Sequence, residues 1–279
     1  MLWSLLLGGT LVLGAIMVFR QGLLPLIDVM FQPSPETLSA IRRAGILFTA
    51  IAGYWVYVRL HERRKADELR LKPVSILIGG ASGAVLIGIP IAVLFAIGAY
   101  ELILMRGAST ALFGVAALIG IAATLEELVF RCVLFRIVER AWGTVIAIPI
   151  QAALFALQHL ENVAQGGTID AVLMIVSVTV LGAFWAGVFV FTRNLWATAA
   201  NHAAWNFTIL LSGVPLSGIE EWRTLAPLEI RYAGPDWLTG GMFGPESSVL
   251  VIAVATVATI LLLTAARRRG KFIAQAARN

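Results

Sequence analysis

The stretch "TLEELVFR", residues 124–131, places three charged side chains, Glu126, Glu127 and Arg131, inside a long apolar run. A charged side chain at the centre of a membrane-spanning helix costs about 2.5 to 3.5 kcal/mol on insertion scales. The three charges must therefore face protein or water and compensate one another. Glu127 and Arg131 share one helix face at a spacing of four and can form an ion pair. Glu126 is rotated by about 100° from Glu127, so it needs a different partner.

The composition around this stretch is that of a membrane protein. Hydrophobic residues make up 59% of the 279 residues and charged residues 13%, and the mean hydropathy is +0.88. Apolar runs of roughly 20 residues, the length of a spanning helix, recur along the whole chain. The sequence therefore predicts an all-α fold, a polytopic transmembrane helix bundle that forms a single integral-membrane domain over residues 1–279.

The apolar runs predict about eight spans, with boundaries that are soft by several residues. They cover residues 2–19, 44–60, 74–99, 109–135, 144–160, 170–192, 195–212 and 248–266. The polar residues of interest lie in a motif-bearing core over residues 109–212.

Lysine and arginine are concentrated in two segments, residues 59–72 and 267–279. With eight spans both segments lie on the same side, and the positive-inside rule places them and both termini in the cytoplasm. The longest polar stretch, residues 213–247, then lies on the opposite side. The net charge of +5 is explained by topology and anionic lipid headgroups, so we expect no nucleic-acid partner.

Two of the three histidines fall inside predicted spans. His159 follows Phe155 by four residues in "FALQH", and His202 precedes Asn206 by four in "NHAAWN". Counted at about 1.5 Å per residue, Glu126, His159, His202 and Asn206 reach similar depths near the middle of the bilayer. A carboxylate, two imidazoles and an amide that converge there could form a hydrolytic site.

The ordered motifs E-E-x-x-x-R, F-x-x-x-H and H-x-x-x-N, each on its own apolar segment, resemble the CPBP family of intramembrane proteases. This family is named for CAAX proteases and bacteriocin-processing (Abi) enzymes. It includes the type II CAAX prenyl endopeptidase, which removes the last three residues of prenylated proteins. The motifs cover residues 126–206, about the middle third of the chain.

The resemblance implies a glutamate-dependent endopeptidase that needs no metal or other cofactor. Glu126 would be the general base, and His159 would help to hold the attacking water. His202 and Asn206 would stabilise the oxyanion, while Glu127 and Arg131 would form a structural ion pair near the site. The implied substrate is a membrane-embedded or lipidated peptide, with a prenylated CAAX-type C-terminus as one candidate. The sequence carries no signal for an oligomeric state.

Two alternative functions stay open at this level. A zinc protease could use Glu126, His159 and His202 as ligands, although the helical H-E-x-x-H signature is absent. A transporter or scaffold could use the buried charges for a proton path. Cys132 is the only cysteine, so neither an intrachain disulfide nor a multi-cysteine metal site can form. We interpret it as a small buried apolar residue.

Single-cysteine labelling tests the predicted topology. On a Cys132→Ser background, new cysteines in residues 59–72 and 267–279 should react from the cytoplasmic side, and cysteines in residues 213–247 from the opposite side. The physical reason is the retention of Lys and Arg in the cytoplasm. Opposite accessibility of the two basic segments would remove one span from the predicted count.

Overall fold

The fold is a bundle of α-helices with a small sheet at one end, which confirms the all-α prediction. The structure is a computed structural model that describes residues 1–163, 168–218 and 221–275. The last four residues of the predicted basic tail lie outside the described residues. The helices are α1 (Leu2–Val18), α2 (Leu24–Phe31), α3 (Pro35–Leu60), α4 (Pro73–Ala96), α5 (Ala111–Glu127), α6 (Arg136–Trp142), α7 (Thr144–Gln158), α8 (Thr168–Thr192), α9 (Leu195–Leu211), α10 (Asp236–Thr239) and α11 (Val249–Arg268).

Six helical segments among the described residues are long and apolar enough to cross a membrane, against the eight spans predicted. They are Leu2–Phe31, Pro73–Ala96, Ala111–Trp142, Thr144–Glu161, Ala171–Thr192 and Val249–Arg268. The two other predicted spans are helical but differ in character. Helix α3 carries Glu36, Arg42 and Arg43 in its first half. Helix α9 has 17 residues, a length of about 25 Å, and includes several polar side chains.

Helix α9 packs closely against α4 and also contacts α5. Two glycines of α4 make this approach possible. A Cβ atom on Gly79 would lie 2.3 Å from the carbonyl oxygen of Ala197, and one on Gly83 would lie 2.1 Å from that of Asn201. No side chain fits at either place, so the two backbones pack directly against each other. This contact fixes the position of α9, which carries His202 and Asn206.

The sheet was not predicted. Strand β1 (Tyr100–Met105) pairs antiparallel with β2 (Leu228–Tyr232). Helix α4 ends at Ala96, and the chain then turns into β1 instead of continuing the predicted span to residue 99. The apolar side chains of β1 directly follow an apolar helix, which is why composition did not separate the two elements. The sheet ties the predicted polar stretch, residues 213–247, to one end of the bundle.

The opposite end of the bundle is held by ion pairs from the segment that follows α3. Glu68 pairs with Arg64 at 2.7 Å and with Arg136 at 2.9 Å. Glu62 pairs with Arg136 at 3.0 Å and with Arg140 at 2.6 Å. Burial alone would raise the pKa of Glu68, but the hydrogen bond from Arg64 and the charge of Arg136 lower it to about 2. The charges therefore stabilise a defined conformation of this segment.

Both basic segments lie at this same end of the bundle. The side-chain amide of Asn194 donates to the carbonyl oxygen of Arg70 at 2.7 Å, and Arg193 donates to the carbonyl oxygen of Lys271. These contacts bring residues 59–72 and the described part of the tail together at one end of the bundle, where the eight predicted spans place both segments. The side of the membrane that this end faces stays a prediction.

Replacing Glu68 with Gln should lower stability by about 1 to 3 kcal/mol at pH 7, because it removes one of the two carboxylates that pair with the partly buried Arg64 and Arg136. The folded-state pKa is lowered from 4.5 to about 2, so the carboxylate contributes its stabilisation above pH 4.5 and loses it as the pH falls toward 2. Thermal unfolding in detergent measures this effect: the difference in Tm between wild type and Glu68→Gln should become smaller as the pH falls from 4.5 toward 2.

The matched control is Glu229→Gln, which breaks the exposed pair with Arg106. An exposed pair contributes about 0 to 1 kcal/mol. Equal losses for both variants would contradict a structural role for the buried network.

Candidate active site

A small cavity lies within the described part of the bundle and contains all four predicted catalytic residues. Its volume is about 100 Å³. The polar side chains that line it are Glu126, His159, His202, Asn206, Ser217 and Glu246. The first four come from α5, α9 and the end of α7, whereas the last two come from the segment that connects α9 to α11. The structure therefore brings together residues that are 80 positions apart in the sequence.

Next to the cavity, Glu127 is the centre of a buried polar cluster that includes Arg131 and His202. Its Oε2 lies 3.1 Å from Nε of Arg131, and both side chains are 0% exposed. Its Oε1 lies 2.8 Å from Nδ1 of His202. An ionised carboxylate can only accept hydrogen bonds, so Nδ1 of His202 carries a hydrogen. The expected ion pair is present, and Glu127 also fixes the orientation of the His202 ring.

The guanidinium group of Arg131 has further contacts that fit it to its apolar site. Its carbon lies 4.6 Å from the centre of the Phe155 ring, a cation–π distance. Its Nη2 donates to the carbonyl oxygen of Gly182 at 3.3 Å. Arg131 thus links α8 to the residues that follow α5.

The helix changes geometry directly after Glu127. Residues Leu128–Phe135 form a π-helical segment, after which α6 begins. Segments of this kind are rare and are found mostly at functional sites. The wider turn still allows the ion pair to Arg131, which was predicted from ordinary α-helical spacing. Nothing in the sequence pattern indicated the π geometry.

Glu126 points away from Glu127 and into the cavity, as their expected rotation requires. Its side chain is 27% exposed, against 0% for Glu127. Its Oε2 lies 3.9 Å from Nε2 of His202. The two neighbouring carboxyl groups therefore have different environments: Glu126 faces the cavity, whereas Glu127 is enclosed by Arg131 and His202.

His159 is the first residue after α7, where the helix tightens into the 3₁₀ turn His159–Val163. Its Nδ1 lies 2.8 Å from the carbonyl oxygen of Phe155. Because a carbonyl oxygen only accepts, Nδ1 is the donor, and in the neutral ring Nε2 has a lone pair. The Phe155 ring packs against the imidazole at 4.7 Å between centres. His159 therefore has the tautomer of a hydrogen-bond acceptor at Nε2.

His202 and Asn206 lie one turn apart on α9. Trp185 stacks on the His202 ring at 3.7 Å, and its Nε1 donates to Oδ1 of Asn201 at 3.1 Å. The buried Oδ1 of Asn206 has no hydrogen-bond partner among the residues the structure describes. The His202 ring is thus held in place, and Oδ1 of Asn206 is available as an acceptor.

Ser217 and Glu246 were not predicted to line the site. Glu246 precedes the last apolar run in "GPESS", and its side chain lies outside every motif that the sequence analysis used. Burial raises the pKa of Glu246, although a hydrogen bond from Ser217 and the nearby His159 and His202 act in the opposite direction. An isolated acidic residue immediately before a spanning helix was the one available signal, and it is a weak one.

The interpretation of Cys132 can be compared with the geometry. Cys132 is fully buried among apolar residues, as interpreted. Within residues 1–163, 168–218 and 221–275, no group of three or more His, Cys, Asp or Glu side chains is arranged to hold a metal ion. The depth of the site in a bilayer stays a prediction.

A helical membrane bundle that encloses a carboxylate, two imidazoles and an amide in one cavity has the parts of an intramembrane hydrolase. Residues 108–208 match the family model described as Type II CAAX prenyl endopeptidase Rce1-like. This match confirms the predicted resemblance over the segment that contains Glu126, His159, His202 and Asn206. No curated protein and no solved structure matches the chain.

Glu127→Gln should destabilise the protein by about 3 to 5 kcal/mol, because it leaves the buried Arg131 charge without its partner. The matched variant is Glu126→Gln at the neighbouring, partly exposed position, which should melt close to wild type. Chemical denaturation in detergent measures both. A double variant, Glu127→Leu with Arg131→Met, should recover a large part of the loss, since it removes both charges. Equal stability of the two single variants would show that Glu127 does not stabilise the core.

Proposed function

We propose that this chain is a glutamate-dependent intramembrane endopeptidase that hydrolyses a peptide bond of a membrane-associated substrate. The observation that carries the proposal is the convergence of Glu126, His159, His202 and Asn206 on one cavity of about 100 Å³. All four lie within the segment that matches the endopeptidase family.

Glu126 acts as the general base and His159 as a second acceptor for the attacking water. The partial exposure of Glu126 gives water access to its carboxylate. The Nδ1 hydrogen bond of His159 to the Phe155 carbonyl leaves Nε2 to accept from the same water. Two acceptors can fix the two hydrogens of one water molecule and direct its oxygen lone pair at the scissile carbonyl carbon.

His202 and Asn206 stabilise the oxyanion that forms on the carbonyl oxygen. Nδ1 of His202 is held by Glu127, so Nε2 supplies the second hydrogen when the ring is protonated. The amide of Asn206 is the second donor. Donors that are positioned before the reaction stabilise developing charge more effectively than mobile water.

A site within a membrane bundle suits a peptide that is itself lipidated or membrane-embedded. A prenylated CAAX-type C-terminus fits the family match, and a leader peptide or the tail of a membrane protein has the same physical character. We therefore propose a substrate that reaches the cavity from the membrane. The lipid bilayer is the expected surrounding partner.

Cleavage assays on a peptide panel test the function. Purified protein in liposomes is incubated with prenylated CAAX peptides, the same peptides without the lipid, and membrane-inserting leader peptides, and the products are identified by mass spectrometry. Glu126→Gln should lower kcat by about 10²- to 10⁴-fold through loss of the base. His202→Ala should lower it by about 10²- to 10³-fold through loss of one oxyanion donor. Glu101→Gln, an exposed change on β1, is the control and should match wild type.

Three outcomes would contradict the proposal. Wild-type activity of Glu126→Gln would exclude this residue as the base. Stoichiometric zinc that leaves together with activity, and restores it on return, would establish a zinc protease that uses the same residues. Substrate flux across liposomes without cleavage would establish a transporter.

A further inference from the structure

Glu246 is a second carboxyl group inside the catalytic cavity, and it comes from a part of the chain that the family match does not reach. It lies in the 3₁₀ turn Pro245–Ser247, directly before α11. The residue is 2% exposed and lines the cavity together with Glu126, His159, His202 and Asn206. The match ends at residue 208. A buried carboxyl group beside a hydrolytic site needs a reason, because its burial costs free energy unless it is neutral or paired.

The backbone around Glu246 is held in a defined conformation. Gly244 has a φ of +94°, and a Cβ atom there would lie 2.1 Å from the carbonyl oxygen of Pro215. Only glycine fits this close approach. On the other side, Oγ of Ser247 lies 3.1 Å from Oγ of Ser177 on α8. The turn is therefore held at two places, against Pro215 in the segment after α9 and against Ser177 on α8, and this backbone places Glu246 at the cavity.

The surroundings of Glu246 favour a neutral carboxylic acid. Oγ of Ser217 donates to its Oε2. Burial raises the pKa of Glu246 more than the Ser217 hydrogen bond and the nearby His159 and His202 lower it. Glu126 lines the same cavity, and an ionised Glu126 would further disfavour a second negative charge. Asp236 is the acidic residue on the adjacent α10.

We propose that Glu246 is the general acid of the peptidase, donating its proton to the nitrogen of the departing amine. The inference rests on the proposed function. One carboxyl group is partly exposed and suited to accept a proton, while the other is enclosed and suited to supply one. Two carboxyl groups with contrasting environments are a common way to divide base and acid roles in one site.

The proton transfers balance over one turnover. Water gives a proton to the Glu126 carboxylate as its oxygen bonds to the carbonyl carbon, and the carbonyl oxygen becomes the oxyanion. The carbon–nitrogen bond then breaks as the Glu246 proton moves to nitrogen, giving a carboxylic acid and a neutral amine. Glu126 passes its proton to the Glu246 carboxylate, which restores both groups. The products exchange a proton to become a carboxylate and an ammonium ion.

A comparison of two leaving groups tests the assignment. A peptide substrate and its thioester analogue at the same bond are assayed with wild type and Glu246→Gln. An amine must be protonated as it leaves, whereas a thiolate with a pKa of about 8.5 leaves without a proton. Glu246→Gln should therefore lower kcat on the peptide by about 10²- to 10⁴-fold with little change in KM, and should change thioester turnover by less than about tenfold.

Two variants serve as controls. Asp236→Asn, on the neighbouring helix, should match wild type on both substrates. Glu126→Gln should lower turnover of both, because water attack precedes departure of either leaving group. If Glu246→Gln proves unable to fold, the pH dependence of the wild-type protein tests the assignment instead. Peptide cleavage should lose activity at alkaline pH, where the general acid loses its proton. Thioester cleavage should keep its activity there.

Several results would overturn the inference. Equal losses on peptide and thioester, or full peptide activity in Glu246→Gln, would reject Glu246 as the acid. An equal loss of activity at alkaline pH for the peptide and the thioester reactions of the wild-type protein would also reject it. If the wild-type protein cleaves neither substrate, the proposed peptidase function is rejected. This result differs from a failure of the Glu246 assignment, in which the wild-type protein is active.

Discussion

The buried carboxylate of Glu127 is the interaction on which the site depends. It accepts from His202 on α9 and pairs with Arg131 one turn further along its own helical segment. In an apolar bundle a lone charge at this position would cost several kcal/mol. With a cation on one side and an imidazole on the other, the same charge becomes a link between two helices. The orientation of the His202 ring, and hence the direction of Nε2, follows from that link.

Two different kinds of packing then determine where the link lies. Gly79 and Gly83 allow α4 to contact the α9 backbone directly, so α9 has little freedom to slide. At one end, ion pairs and the contact of Asn194 with Arg70 fix the start of α9. At the other end, Ser217, Trp222 and Glu246 from the segment between α9 and α11 line the cavity. The residues that line the cavity therefore lie between the polar contacts at the start of α9 and the segment that precedes α11. Contacts at both ends keep this polar cavity in one geometry within an apolar bundle.

The sequence was informative where a physical rule left few solutions. Three charges within the apolar run around Glu126 had to compensate one another, and helical spacing identified Glu127 and Arg131 as the pair. It did not reveal that Glu127 also accepts from His202, because that contact joins residues 75 positions apart. It also gave no sign of the π-helical turn or of β1, since an apolar run has the same composition in any of these elements. Helices α3 and α9 were predicted as spans, yet they are less apolar or shorter than the segments suited to cross a membrane.

Glu246 marks the limit of motif-based inference more clearly than any other residue. A motif assigns function by spacing along one helix, and every predicted catalytic residue was found in that way. The cavity, however, is completed by a segment whose contribution depends on a tertiary contact between Gly244 and Pro215. In the proposed mechanism the helices of the matched segment supply the base and the oxyanion donors, and the connecting segment supplies the remaining wall of the cavity. A carboxyl group that is buried in this wall is suited to the proton donation that we propose for Glu246.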